Sequence, residues 1–136
     1  MNADLRCFSV VLLLALMGCG STWKPPSPAE QRAIDAIEEW GDAEQPSIVR
    51  IDTEGHVYSV RLNNTTITDA GLVHLKEMTK LRRLNLGNTK ITDAGLEHLK
   101  RSDHSLGSLD LSNTKVTANG VKKLQTALPN CEIRWK

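Results

Sequence analysis

Aromatic side chains are scarce in this sequence: three Trp, one Tyr and one Phe among 136 residues. A surface that stacks bases needs more of them, which argues against nucleic acid as a partner. An excess of charge is missing too. Seventeen Lys and Arg stand against 16 Asp and Glu, for a net charge of +1. That balance leaves no basic footprint for a phosphate backbone. Three cysteines do not make a disulfide framework. No G-x-S-x-G, Gly-rich phosphate loop or H-E-x-x-H occurs, so the common nucleophile, phosphate and zinc motifs are absent. The apolar run from Phe8 to Met17, broken only by Ser9, is ten positions long. A bilayer span takes about 20. The length leaves room for one domain.

What is present is a repeat. Residues 81–99 read LRRLNLGNTKITDAGLEHL. Upstream, residues 57–75 read VYSVRLNNTTITDAGLVHL, and downstream, residues 106–124 read LGSLDLSNTKVTANGVKKL. Leu62, Leu86 and Leu111 are equivalent, at steps of 24 and 25 residues. Thr65, Thr89 and Thr114 also match, as do Thr68, Thr92 and Thr117, and Gly71, Gly95 and Gly120. A period in this range marks stacked supersecondary units.

Each unit opens with apolar residues at its first, fourth and sixth positions, as in Leu81, Leu84 and Leu86. The last two share one face of a short strand. Thr92 and Asp93 then offer helix-capping oxygens. Leu96 and Leu99 stand three apart, one stripe of a short helix. Gly95 costs that helix about 1 kcal/mol against Ala, which points to a close approach by the neighbouring coil. One unit cannot bury its apolar edge alone, whereas stacked units can.

These residues resemble the leucine-rich repeat family, with its L-x-x-L-x-L-x-x-N/C-x-L core. The I-T-D-x-G-L tail is similar to the cysteine-containing type, with Thr65, Thr89 and Thr114 in the Cys position. The resemblance covers residues 57–136. It implies an α/β fold: a short right-handed leucine-rich repeat solenoid with parallel β-strands on the concave face and short helices on the convex face. It also implies that these threonines bond to neighbouring backbone and form a ladder along the stack, and that the protein is a non-enzymatic protein-interaction module.

The amino terminus carries a second resemblance. Arg6 and the terminal amine give a weak positive start, diluted by Asp4. The short apolar run ends in Leu16-Met17-Gly18-Cys19, which resembles the lipobox of bacterial lipoproteins. In that family the Cys thiol is diacylated, the preceding peptide is removed and the new amino terminus is acylated. Plural acyl chains anchor stably where one holds only marginally. The resemblance makes Cys19 the lipidation site and places the protein in the bacterial cell envelope. Gly20 in place of Asp prefers the outer membrane. Ordinary cleaved secretion and an uncleaved anchor are the alternatives. With Cys7 removed and Cys19 acylated, Cys131 stands alone, a small buried hydrophobe or a reactive thiol.

The segments divide as follows: 1–18 signal peptide, 19–28 tether, 29–56 an N-terminal cap helix and hairpin strand, and 57–136 the repeat domain with a C-terminal cap strand. The tether is Pro-rich and semi-rigid, and Trp23 is either a linker residue or a lipid-interface anchor. Ser27, Pro28 and Glu30 form a helix start with a capping box. Ile34, Ile37 and Trp40 make one apolar stripe before the stop at Gly41, suited to capping the solenoid or to docking in a groove. Residues 48–52 and 56–60 read as strands, and Thr53-Glu54-Gly55 as the turn of a hairpin. Ile133 and Trp135 lie 24 beyond Leu109 and Leu111, which predicts a degenerate fourth strand.

Paired features that suggest chemistry coincide with the repeat. Asp69 and Asp93 are equivalent positions at helix starts, where capping explains them. Ala118 at the third position breaks any shared carboxylate site. His74 and His98 are equivalent, and two histidines without a third ligand make a poor metal site. His56 and His104 join no pattern. Thus no catalytic residue, metal or cofactor is expected.

The candidate binding face is the outward side of the strands. It comprises Ser59, Arg61 and Asn63, then Arg83, Asn85 and Gly87, then Ser108, Asp110 and Ser112. Arg61 and Arg83 lead, because interface hot spots favour Arg and aromatics. Expected partners are the membrane, through acylated Cys19, and a protein on the strand face. A cell-wall glycan contact and a self-assembling structural role are the alternatives, and nucleic acid is excluded.

Overall fold

The computed structural model describes residues 24–39, 48–100 and 106–136. The expected signal peptide, Cys7, Cys19, Trp23, Trp40, Gly41 and His104 lie outside the described residues. Helix α1 spans Pro28–Glu38. Strands β1 (Ile48–Ile51) and β2 (Val57–Arg61) follow, then a 3₁₀ helix over Asp69–Glu77. The chain continues through β3 (Arg83–Asn85), α2 (Asp93–Lys100), β4 (Ser108–Asp110), α3 (Ala118–Ala127) and β5 (Glu132–Arg134). The five strands form one sheet in sequence order.

Alternation along the strands decides which side is buried. Val60, Leu84, Leu109 and Ile133 pair across β2 to β5 and face the core. Leu62, Leu86 and Leu111 continue that face just beyond the strands and are at most 1% exposed. Each coil then adds its helix stripe: Leu72 and Leu75, Leu96 and Leu99, Val121 and Leu124, all buried. A buried Leu contributes about 1.5–3 kcal/mol relative to exposure, so stacking this Leu-rich edge is what drives assembly of the coils. β2 to β5 run parallel, and β1 pairs antiparallel with β2. The fourth strand predicted from Ile133 pairs in the predicted register, Ile133 opposite Leu109. Trp135 is half-buried against the core.

The hairpin turn is built as its sequence requires. Gly55 has φ +84°, a region open to glycine. One Asp52 carboxylate oxygen accepts from the Glu54 and His56 N–H groups at 3.0 and 2.9 Å. The end of the assigned tether lies against this turn: Lys24 N–H donates to Thr53 O at 3.2 Å, and Pro26 is buried. A Cβ on Gly55 would come within 2.5 Å of the Lys24 and Pro25 carbonyl oxygens.

Helix α1 starts as the sequence predicts. Ser27 Oγ accepts from Glu30 N at 3.2 Å, and Glu30 Oε2 accepts from Ser27 N at 3.2 Å. Glu30 is only 4% exposed, and its other oxygen accepts from Val57 N at 3.4 Å. The same carboxylate thereby closes the helix start and holds it to the first residue of β2. Ala33, Ile34 and Ile37 join the core, and α1 packs on the 3₁₀ helix.

Two local expectations are corrected. The threonine hydroxyls do not bridge coils. Thr65, Thr89 and Thr114 donate to the carbonyls of Leu62, Leu86 and Leu111 in their own coils, at 2.8, 2.7 and 2.7 Å. Asparagine makes the ladder instead. Asn64, Asn88 and Asn113 have φ of 62°, 56° and 57°. Their side chains link coil to coil, Asn88 Nδ2 to Asn64 Oδ1 at 2.8 Å and Asn113 Nδ2 to Asn88 Oδ1 at 3.0 Å. Asn tolerates the left-handed turn that redirects each coil away from the strand. The threonine that follows this turn spends its hydroxyl proton on the Leu carbonyl of its own coil. The second correction is that the first repeat winds as a 3₁₀ helix while the second is α-helical. Over the shared span their sequences differ only at Val73 against Glu97, where a β-branched residue of lower helix propensity replaces a good helix former, and the first-repeat helix also packs against α1.

Candidate binding face on the strands

Strand register arranges the outward side chains in two rows across the sheet. One row is Arg50, Ser59, Arg83, Ser108 and Glu132. The other is Ile48, Arg61, Asn85, Asp110 and Arg134. Together they line a shallow polar groove, with Ile48 outside it. Six predicted residues are thereby brought together: Ser59, Arg61, Arg83, Asn85, Ser108 and Asp110. Asn63 is not part of the lining; it sits past Leu62, where the chain has begun its turn. Sequence reasoning missed Arg50, Glu132 and Arg134. The signals were available. Arg50 lies opposite Ser59 in the hairpin, and Glu132 and Arg134 flank Ile133 in the fourth strand.

Two of these side chains have a structural duty as well. Asn85 Oδ1 accepts from Gly87 N, and Asp110 Oδ1 accepts from Ser112 N, both at 2.9 Å. These bonds shape the exit from β3 and β4. Gly87 is buried here, and neither it nor Ser112 lines the groove. Among the described residues, no ion pair involves the groove arginines.

The Asp69 and Asp93 reading changes in its physical content. These carboxylates do not cap their own helices. Asp69 accepts from Thr92 N at 2.8 Å and Thr92 Oγ at 2.6 Å, one repeat downstream. Asp93 does the same for Thr117, at 2.8 and 2.6 Å. The Thr117 hydroxyl and N–H hold the Asp93 carboxyl below the usual aspartate range, helped by Lys123 and Lys100 against the cost of burial. Each Asp is therefore a brace between coils.

The glycines make room for that brace. A Cβ on Gly95 would overlap Asp69 Oδ1, and one on Gly120 would overlap Asp93 Oδ1. The close approach expected at Gly95 is present, and it is made by a carboxylate.

Cys131 is 4% exposed. Burial, with Glu132 nearby, pushes its thiol above the ordinary range. That environment disfavours the thiolate a reactive cysteine needs. His74 and His98 lie on the equivalent helices, His98 half-exposed. Among the described residues no group of three or more His, Cys, Asp or Glu is placed to hold a metal ion. Nor is any described helix long and apolar enough to cross a membrane.

Comparison with known proteins adds one finding. Residues 77–100 and 102–124 each match the family model described as Leucine Rich repeat. These two segments thus resemble leucine-rich repeats, in agreement with the parallel sheet and short helices described above. The upstream copy at 57–75 lies outside both matched segments. No curated protein matches the chain.

Proposed function

We propose that this leucine-rich-repeat chain is a non-enzymatic interaction module, held in a bacterial cell envelope by acylated Cys19 and recognising a protein through its strand face. The observation that carries the binding half is the groove. It collects Arg61 and Arg83 with Asn85, Ser108 and Asp110 on one side of a sheet whose other side is core. The lipobox-like Leu16-Met17-Gly18-Cys19 supports the anchor, with outer-membrane placement preferred because Gly20 follows.

Helix α1 and β5 serve as caps in this reading. Each covers apolar edges of a terminal coil that would otherwise meet water. A self-assembling role has less support. The Asp brace stops at Ala118, so the last coil offers no carboxylate to a further copy. An enzymatic role has less support still, because no nucleophile, base and orienting group come together among the described residues. Loss of turnover in His74→Ala or Asp93→Ala with folding intact would overturn that judgement.

The test of the anchor is the intact mass of membrane-extracted protein beside a Cys19→Ser variant. Loss of residues 1–18 with added acyl mass, abolished by the substitution, is expected. An unlipidated mature chain, or one retaining residues 1–18, refutes the anchor. A photo-crosslinking residue at Ser108, used in cells, tests the face. An adduct that disappears on Arg83→Glu is expected, and no adduct at any face position refutes binding there.

A further inference from the structure

The groove is polarised along the direction in which the strands are stacked. Arg50, Arg61 and Arg83 sit on β1, β2 and β3, ringing Ser59. The β4–β5 end carries Asp110 and Glu132 with one cation, Arg134. None of these six charges is in an ion pair among the described residues. Between the two ends, both rows pass through small or neutral side chains, Ser108 and Asn85, over which a chain can settle.

We infer that the occupant of this face is an extended peptide segment of a protein, carrying a carboxylate over Arg50, Arg61 and Arg83 and a cationic side chain about four residues away over Asp110 and Glu132. This rests on the interaction reading above and adds the chemistry of the partner. Three guanidiniums around one small residue suit a carboxylate, which an Arg fork binds through two parallel hydrogen bonds. The centre of the arginine triangle lies over β2, and the acidic pair lies between β4 and β5. Two and a half strand spacings separate them, about 12 Å. An extended peptide crossing the sheet advances about 3.3 Å per residue and returns to the same face every second residue. Residues four apart then stand about 13 Å apart on one face, whereas a spacing of two is too short and one of six too long.

A polyanion such as a phosphorylated glycan or nucleic acid fits less well. It would meet the Arg cluster and then Asp110 and Glu132, where like charges repel. The cationic end of the peptide makes use of those carboxylates. The Arg end supplies most of the affinity and the acidic end sets the spacing.

The experiment titrates full-length protein by amide chemical shift with synthetic peptides of otherwise Gly, Ser and Thr. One peptide carries Glu and Lys four residues apart, a second carries them two apart, a third carries two Glu four apart, and inorganic triphosphate is the bare anion. The first is expected to bind tightest, moving resonances of Ser59 and Ser108. Arg61→Ala with Arg83→Ala should weaken it about tenfold, the scale of two lost exposed charged contacts. Asp110→Asn with Glu132→Gln should erase its advantage over the di-glutamate peptide. The amide oxygen introduced by Asp110→Asn still accepts from Ser112 N, so the turn after β4 is preserved. Equal or tighter binding of di-glutamate or triphosphate to the unaltered protein overturns the inference, as does the absence of any shift at about 10 mM peptide. If Ser108 still crosslinks to a protein in cells while charge spacing has no effect, the inference fails and the interaction reading stands. If no face position crosslinks, both fail.

Discussion

Gly120→Ala should change sign with its background. Gly120 sits in the first turn of α3 without a positive φ, so alanine fits the backbone. Helix propensity alone would favour Ala by up to about 1 kcal/mol. The obstacle is the Asp93 carboxylate, which occupies the space the new Cβ would need. The carboxylate is the mobile end of a side chain, so it yields, at the cost of its two bonds to Thr117. Charged hydrogen bonds are worth about 1.5–3 kcal/mol each when well shielded, and these are exposed, so the pair is worth at most about 2. Gly120→Ala should therefore destabilise by about 1 kcal/mol, and Asp93→Ala by about 2. With Asp93→Ala already present, Gly120→Ala should stabilise by about 0.5–1 kcal/mol. Urea unfolding followed by circular dichroism at pH 7 measures all four corners of the cycle, and the coupling should be about 2 kcal/mol.

The pH dependence has a definite sign. Asp93 titrates lower in the folded protein than in the unfolded chain. Its stabilisation is then complete above the unfolded aspartate pKa, near 3.9, and is lost as pH falls through the lower folded value. The coupling should accordingly persist at pH 5 and fade only below the ordinary aspartate range. If Gly120→Ala costs the same with and without Asp93, the glycine does not exist to admit the carboxylate and the brace argument is wrong.

Ending the chain at Asn130 removes β5 with Ile133, Trp135 and buried Cys131, and strips β4 of its outer partner. It should cost at least about 3 kcal/mol, and a truncated protein that melts like the full chain refutes the cap. Glu30→Ala loses the capping box and the bond to Val57 N, an expected cost of about 1–2 kcal/mol seen in the same unfolding assay. Asn88→Ala must hold a left-handed turn and breaks the amide ladder on both sides. It should destabilise by about 1–2 kcal/mol more than Asn88→Gly, and equal losses would remove backbone conformation from the explanation. Cys131 should resist alkylation at pH 8 until denaturant is added, because burial raises its thiol; rapid labelling of the native protein would contradict that.

Much of the fold was legible because the determining signals are local and repeated. The Leu spacing dictates which strand and helix faces are apolar. The 24- and 25-residue steps dictate that equivalent residues stack. Ser27, Pro28 and Glu30 specify a helix start within four residues, and the Thr53-Glu54-Gly55 turn joins adjacent strands. These depend on periodicity, capping chemistry and positive φ, all properties of short segments. That Ser59, Arg61, Arg83, Asn85, Ser108 and Asp110 share one side of the sheet followed from alternation alone.

Tertiary structure decided what lies between coils. Asp93 reads as a helix-start residue in its own segment, and only stacking puts Thr117 and Gly120 beside it. Asn64, Asn88 and Asn113 recur in plain sight, yet a side-chain ladder needs the left-handed turn and the separation of neighbouring coils together. Glu30 meets Val57 across 27 residues of chain. Arg50, Glu132 and Arg134 enter the groove through strand register at the two edges of the sheet. In each case the partner is distant in sequence. The pattern within one repeat determines which face is buried, while the packing of one coil on the next determines which polar groups meet.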